Sequence, residues 1–321
     1  MFLRRRVPEK GPLKAAVIGV GAFGRHHCSK YQSLDGVALF AVADPSADVR
    51  ANAIAQYGVQ AVADWRDLLG KVDLVSICTP AITHAVIVRA FLNAGAHVLV
   101  EKPIATTLKD ADELVALAAA TGLVLTVGHQ ERFVFARTGL LDTAIVPREI
   151  QCWRRGPWTG RGDDVSAVLD LMIHDLDLAH TLVQSPVRDV MAEGGTQYGP
   201  FADEITATVT FANGAVAHFD TSRVALARKR GFRAIYDDGV IEIDFLTRTL
   251  TNTTPRALGS LEIGDPLGES VTSFVQAARD GAEPLVTAAQ ARDALKTALM
   301  IDEMVGPPMP VTRAPRIAAV G

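Results

Sequence analysis

Within Val168–His180, VLDLMIHDLDLAH, acidic and imidazole side chains recur at the spacing of one helical face. Set at about 100° per residue, Asp170, His174 and Asp177 fall within roughly 60° of one another. Val168, Leu169, Leu171, Met172, Leu176 and Leu178 occupy most of the remaining circumference. The pattern predicts a helix buried nearly all round, with one narrow polar stripe. Buried charge is costly unless it is paired or used, so the stripe needs a role. An imidazole titrates near neutral pH and suits a general base, so His174 is the candidate base. Asp170, one turn earlier, can orient the ring or a substrate hydroxyl. The other readings are a satisfied core histidine, or a metal ion held by Asp170, His174 and Asp177. No cysteine or second histidine joins that face, so no metal is expected. Asp175 and His180 lie off the stripe and read as surface or capping residues, and Asp177 reads as structural.

A second set of residues suits a nucleotide. Gly19-Val-Gly-Ala-Phe-Gly24, GVGAFG, follows an apolar run and opens a helical pattern, with an acid, Asp44, about twenty residues beyond. Gly19 permits the tight turn, Gly21 lets a pyrophosphate approach the backbone, and Gly24 lets the helix pack close to the sheet. Gly19, Gly21, Ala22, Phe23 and Gly24 are therefore the expected phosphate-binding turn, at a helix N-terminus that favours negative charge. Asp44 would accept hydrogen bonds from the adenosine ribose and repel a 2′-phosphate. Pro45 and Ser46 follow it with no adjacent arginine, so NAD is expected rather than NADP. His26-His27-Cys28 resembles a metal cluster, but consecutive helical residues diverge by about 100°, so it reads as structural. Trp153-Arg-Arg-Gly-Pro-Trp-Thr-Gly-Arg161 reads as a loop before the polar stripe. Arg154 and Arg155 could clamp a substrate pyrophosphate and Trp158 could stack a ring. The alternatives are a solvated basic turn, or arginines serving the cofactor.

These residues require elements to place them. Leu13–Gly19, Val37–Ala43, Val72–Cys78, His97–Val100 and Leu123–Val127 read as buried strands. Helical patterns such as Thr83–Asn93 and Leu108–Ala120 lie between them. Strands alternating with helices predict an α/β Rossmann domain over residues 1–130, a doubly wound parallel sheet. After Arg132 the rhythm changes. Ile205–Phe211 and Ala215–Thr221 flank Asn213-Gly214, and Arg233–Tyr236 and Val240–Phe245 flank Asp237-Asp238-Gly239, which are hairpin signals. Thr206, Thr208 and Thr210 form a hydroxyl face opposite Ile205, Ala207, Val209 and Phe211. Residues 131–321 are thus expected to form an α+β domain on a large, mostly antiparallel open sheet, closed by helices at Ser270–Ala278 and Ala288–Val305.

Composition limits the functional classes. The 321 residues are 49% apolar and 21% charged with a net charge of −4, which fits two globular domains and gives no reason to expect a nucleic-acid partner. Cys28, Cys78 and Cys152 form neither a disulfide framework nor a zinc spacing, which points to a reducing cytoplasm. Met1–Arg6, MFLRRR, is separated from the first apolar run by Pro8, Glu9, Lys10 and Pro12, so it is not read as a signal peptide. The apolar run Leu114–Gln130 is broken by Thr121-Gly122 and is read as a helix then a strand, so no membrane span is expected.

With GVGAFG, the strand-end Glu101-Lys102-Pro103 (EKP) and Asp170…His174 in this order, the chain resembles the Gfo/Idh/MocA family of oxidoreductases. The resemblance runs nearly the whole length, including Glu269–Val305. It implies hydride transfer between nicotinamide and a secondary hydroxyl or ketone of a sugar or cyclitol. It implies Lys102, Asp170 and His174 as catalytic residues. It implies further cofactor contacts from Thr79, Pro80, His84, Glu101, Lys102 and Gln130, and from His129. A homodimer or homotetramer through the C-terminal sheet is also implied. The form DLMIHDLDL is most similar to a branch acting on nucleotide sugars, with C3 oxidation of UDP-N-acetylglucosamine as the implied reaction. The alternatives are a free sugar or inositol dehydrogenase, and a non-catalytic NAD-binding sensor or scaffold. One departure is Asp164-Val165-Ser166-Ala167, where many members carry a glycine pair, and it weakens transfer of substrate contacts from sugar-oxidising members.

Overall fold

The computed structural model describes residues 11–142, 144–160 and 164–307, with the backbone of Met309–Pro310. Met1–Arg6 and Arg161, both singled out above, lie outside the described residues. The chain forms two compact units, one of Met1–Arg137 with Ile263–Leu295 and one of Thr138–Glu262 with Lys296–Gly321. This differs from a single cut at 130/131, because part of the C-terminal third returns to the first unit.

The first unit carries β1 (Leu13–Ile18), α1 (Gly24–Ser33), β2 (Val37–Ala43), α2 (Ala47–Tyr57), β3 (Gln60–Val62), β4 (Leu74–Ile77), α3 (His84–Asn93), β5 (His97–Val100), α4 (Leu108–Thr121), β6 (Leu125–Val127) and most of α5 (Glu131–Thr138). Its strands form one six-stranded sheet in the order β3-β2-β1-β4-β5-β6, with every pairing parallel. The order reverses between β1 and β4, the switch point outside whose carboxyl ends such sheets bind ligands. Ala15, Val17, Leu74 and Leu99 are fully buried, as continuous apolar strands must be when helices cover both faces.

The returning segment explains the division. The chain re-enters with α7 (Pro266–Asp280), which starts under the Asp265 carboxylate, an acceptor for the Gly268 N–H at 3.0 Å, with Pro266 in its first turn. Its apolar stripe, Val271, Phe274 and Val275, packs into one cluster with Ala15, Tyr31, Leu74 and Leu99. Each such side chain contributes roughly 1.5–3 kcal/mol of burial. An amphipathic pattern predicts a helix but does not name the core it joins.

The second unit is built on β7 (Glu149–Arg155), β8 (Val187–Thr196), β9 (Glu204–Phe211), β10 (Val216–Ser222), β11 (Lys229–Tyr236), β12 (Gly239–Asp244), β13 (Thr249–Asn252) and β14 (Met309–Pro310). They form an eight-stranded sheet, β13-β12-β11-β7-β10-β9-β8-β14. It is antiparallel except at β7–β10 and β8–β14. Both hairpins expected at Asn213-Gly214 and Asp237-Asp238-Gly239 are present. Along β9, Ile205, Ala207, Val209 and Phe211 are buried while Thr206, Thr208 and Thr210 are not. The hydroxyl face lines a shallow hollow of about 540 Å³ with Trp153, Met191, His218 and Lys229. The helical part of the unit is α6 (Ile173–Val183) and the end of α8 (Ala288–Val305). No described helix is long and apolar enough to cross a membrane.

Two local expectations need correction. Trp153, Arg154 and Arg155 are not in a loop but end the central strand β7, whose alternation is broken by Arg154 on the same face as buried Ile150 and Cys152. Val168–His180 is not one uniform α-helix. Val168–Met172 is a π-helical turn that passes into α6 at Ile173. The wider i→i+5 turn advances less per residue, so the 100° wheel fails between Asp170 and His174.

Candidate active site

At the switch point of the first unit, the glycines act as their spacing predicts. Gly19 has φ +80°, a conformation that L side chains rarely adopt, and a Cβ there would lie 2.9 Å from the Cys78 carbonyl oxygen. A Cβ on Gly24 would run into the Gly19 carbonyl oxygen, whereas one on Gly21 would meet nothing within 4 Å. The turn is tight where helix meets strand and open where a pyrophosphate would lie. Ala22 and Phe23 are exposed at the start of α1. Asp44, after β2, accepts the Val20 N–H at 3.0 Å and the Ser46 N–H at 2.9 Å. Each oxygen keeps further acceptor capacity for ribose hydroxyls. The Arg50 guanidinium donates to the carbonyl oxygens of Asp44 (2.8 Å) and Pro45 (2.9 Å). No arginine adjoins Asp44 in sequence, but α2 brings Arg50 to its loop and there turns it onto backbone oxygens.

The EKP segment leaves β5 with Glu101 and Lys102 half-buried and Pro103 buried after a cis peptide. Its anchors come from separate elements. His27 of α1, fully buried, bonds the Ser76 hydroxyl through Nδ1 (3.0 Å) and Glu101 Oε1 through Nε2 (3.1 Å). Tyr31 Oη reaches the same serine at 2.7 Å. Because a carboxylate only accepts, Nε2 carries the proton, and a consistent chain runs from Tyr31 O–H through Ser76 O–H and His27 to Glu101. Gln130 also donates to Glu101 Oε1, at 3.3 Å. Reading His27 as structural was right in kind, but helix geometry gave no sign that it holds the EKP acid. His84 is buried beneath the segment. Its Nδ1 faces the Pro103 carbonyl at 2.7 Å and its Nε2 the Thr79 carbonyl at 2.9 Å. Burial lowers its pKa below the ordinary imidazole value, against the opposing pull of the two carbonyl oxygens. His84 therefore braces the Thr79-Pro80 loop against EKP rather than facing the crevice. His129 is buried as well. Burial pushes the Cys28 thiol to about 12 and holds Cys78 well above the usual thiol value, so neither is a nucleophile.

In the second unit, Asp170 and His174 are half-buried while Asp177 is buried. The accessible polar pair is thus Asp170 and His174. Asp175, read as a surface or capping residue, is instead buried, and His180, read the same way, is half-buried. Asp175 is 4% exposed and forms a bidentate pair with Arg154, at 3.0 Å to Nε and 2.7 Å to an Nη. His180 Nε2 meets Thr297 Oγ1 at 2.8 Å. Arg155 pairs with Asp220 (2.6 Å) and Glu204 (3.0 Å). Both arginines of the expected pyrophosphate clamp are therefore committed to carboxylates: Arg154 fixes α6 to β7, and Arg155 belongs to the strand surface. The π turn is pinned at its start. Ser166 Oγ accepts the Leu169 N–H (3.2 Å) and donates to Asp302 (2.7 Å). Burial raises the Asp302 pKa to about 6 despite that bond. Trp158 stacks on Tyr198, an aromatic that the sequence reading passed over. No three His, Cys, Asp or Glu among the described residues are grouped to hold a metal.

The chain was compared with known proteins. Residues 13–129 match the family described as an oxidoreductase family with an NAD-binding Rossmann fold, and residues 145–242 match the GFO/IDH/MocA C-terminal domain. The chain is 36% identical over 239 residues to the UDP-N-acetylglucosamine 3-dehydrogenase of Acidithiobacillus ferrooxidans, a match covering 74% of this chain and 76% of that protein. A solved structure of that enzyme superposes with a TM-score of 0.86 at 33% identity, covering 92% of this chain and 98% of the other. The myo-inositol 2-dehydrogenase of Thermotoga maritima is 28% identical, covering 67% of this chain and 70% of that protein.

Proposed function

The chain belongs to the Gfo/Idh/MocA oxidoreductase family, and from that premise we propose that it oxidises a secondary hydroxyl of a nucleotide sugar with NAD, UDP-N-acetylglucosamine at C3 being the leading substrate. The observation that carries this reading is the 36% identity to the UDP-N-acetylglucosamine 3-dehydrogenase of Acidithiobacillus ferrooxidans, together with Lys102, Asp170 and His174 in the order that the family resemblance implies for catalytic residues.

The residues fit the cofactor. The open backbone at Gly21, with Gly19, Ala22, Phe23 and Gly24, would hold the pyrophosphate. Asp44 would take the adenosine ribose, which favours NAD over NADP. Thr79, Pro80, Glu101, Lys102 and Gln130 would line the nicotinamide half. NAD, when bound, supplies the hydride acceptor. His174 takes the proton of the substrate hydroxyl, Asp170 orients the imidazole or the sugar, and Lys102 stabilises the developing alkoxide. Exposed Met191, with Trp153 in the lining of the 540 Å³ hollow on the open sheet, supports a homo-oligomer contact through that face. Three cysteines without disulfides fit a reducing cytoplasm.

The test is NAD reduction, followed by nicotinamide absorbance, against UDP-N-acetylglucosamine, free N-acetylglucosamine and inositols, repeated with NADP. Turnover of the nucleotide sugar in preference to the others is expected. Activity confined to inositols would overturn the substrate, and NAD binding with no turnover of any alcohol would favour a sensor.

A further inference from the structure

One end of the second unit carries an aromatic stack that neither the catalytic residues nor the sheet requires. Trp158 lies 4.9 Å from Tyr198, ring centre to ring centre, with the planes 20° apart. The Arg223 guanidinium lies over Trp158 at 5.3 Å. Tyr198 is 52% exposed although Trp158 covers one of its faces, so the other face is largely open. Phe201 and Leu226 on the neighbouring segments are also exposed.

The stack is built rather than incidental. Asp203, with no exposed surface, takes the Arg223 Nε–H at 2.6 Å through one oxygen. Its other oxygen takes the backbone N–H of Gln197 (2.6 Å) and of Tyr198 (2.8 Å). One buried carboxylate thus pins both the backbone of the outer ring and the cation beneath the inner one. Such a buried pair stays only where its geometry is well satisfied, and this one fixes two aromatic residues before any ligand arrives. The same group ties into the catalytic turn. Arg223 donates to the Val165 carbonyl (3.0 Å), and the Ala167 N–H donates to the Ala202 carbonyl (2.8 Å), three residues before Asp170. The 156–160 segment is held in turn by Ala225 N–H on the Gly156 carbonyl at 2.9 Å.

We infer that the open face of Tyr198 is the subsite for the base of the substrate, a planar uncharged ring that extends the Trp158–Tyr198 stack and so holds the sugar end toward Asp170 and His174. This rests on the nucleotide-sugar reading above. A preorganised ring face needs no hydrogen-bond code to bind a base, since every base has a π face, and two rings already in register lose little freedom when a third is added.

The experiment titrates UDP and N-acetylglucosamine 1-phosphate, which lacks the base, into wild type, Tyr198→Ala and Tyr198→Phe. Binding is read by calorimetry, and tryptophan fluorescence follows Trp158. Tyr198→Ala should weaken UDP about tenfold and leave the sugar phosphate within about twofold. Tyr198→Phe should restore UDP binding, and UDP should quench wild type more than Trp158→Phe. Equal loss of both ligands in Tyr198→Ala, unchanged UDP affinity, or a changed oligomeric state without a UDP effect would each overturn the subsite. Turnover of UDP-N-acetylglucosamine with no Tyr198 effect would sink the subsite and spare the nucleotide-sugar reading. UDP binding through Tyr198 in a protein that oxidises only inositols would overturn the nucleotide-sugar reading and, with it, the assignment of that ring face to the substrate's base.

Discussion

The crevice at the switch point of the first unit and the turn carrying Asp170 are held by different kinds of contact. The glycine turn beside β1 and β4 is shaped by backbone, through the Gly19 turn and the Gly24 contact with the Gly19 carbonyl, while Asp44 joins the crevice as a carboxylate that accepts the Val20 and Ser46 N–H groups. The turn carrying Asp170 is held mainly by side chains, through Arg154–Asp175, Arg223–Asp203 and Ser166–Asp302. Backbone contacts survive most substitutions and do not titrate. Side-chain pairs can be cut one at a time, and each leaves a buried group without its partner. Cofactor binding should therefore be the tolerant property of this protein, and turnover and the stability of the second unit the fragile ones.

The sharpest test separates chemistry from cofactor binding. His174→Ala should lower kcat by roughly 10²–10⁴-fold while the Kd for NAD, measured by fluorescence, stays within about twofold. A parallel loss of NAD affinity would break the proposed division of labour. Next in size is the buried pair. Arg154→Met leaves the Asp175 carboxylate buried without its bidentate partner, which costs about 3–5 kcal/mol. Urea denaturation should then show an early transition that NAD does not protect, and a single cooperative transition shifted as a whole would show that the units do not unfold separately. Asp44→Ser is expected to move the NAD-to-NADP preference by about 1–3 kcal/mol, the scale of charged hydrogen bonds. Equal wild-type affinity for both cofactors would remove Asp44 from the ribose.

The smallest effect is a pH dependence confined to the second unit. Burial raises the folded-state pKa of Asp302 from 3.8 to about 6. A carboxyl with a raised folded pKa binds its proton more tightly when folded, so its contribution favours the native state at low pH. That contribution is lost as pH rises from near 4 through 6, on the order of 1–3 kcal/mol. Asp302→Asn should flatten the thermal-stability profile between those pH values, and an unchanged slope would assign it to another group.

The same contrast explains what the sequence made legible. GVGAFG with Asp44, and Asn213-Gly214, state local backbone requirements, and a local requirement is visible in local residues. Alternating burial along β9 was readable because a strand with one wet face must alternate. Arg154–Asp175 joins residues that no periodicity connects, and its strand looked like a basic loop because Trp153, Arg154 and Arg155 hide the alternation. The π turn has no compositional signature in VLDLM, so a uniform wheel misplaces Asp170 relative to His174, and nothing local marks Asp175 as buried against Arg154. Tyr198 carries no signal of its own in the sequence, since its meaning depends on Trp158, Asp203 and Arg223 meeting it.

The return of α7 to the first sheet also sets an order of events during synthesis. When residue 137 has been made, the Rossmann strands exist, but Val271, Phe274 and Val275, which complete their core, have not been translated. At about 5–20 residues per second, the nascent sheet waits roughly 7–29 s for that helix, with the face that α7 covers open until then. A chain stopped at residue 137 should accordingly bind hydrophobic dyes and chaperones, while one extended through 295 should not. The strands of the first unit are thus made well before the helix that completes their core.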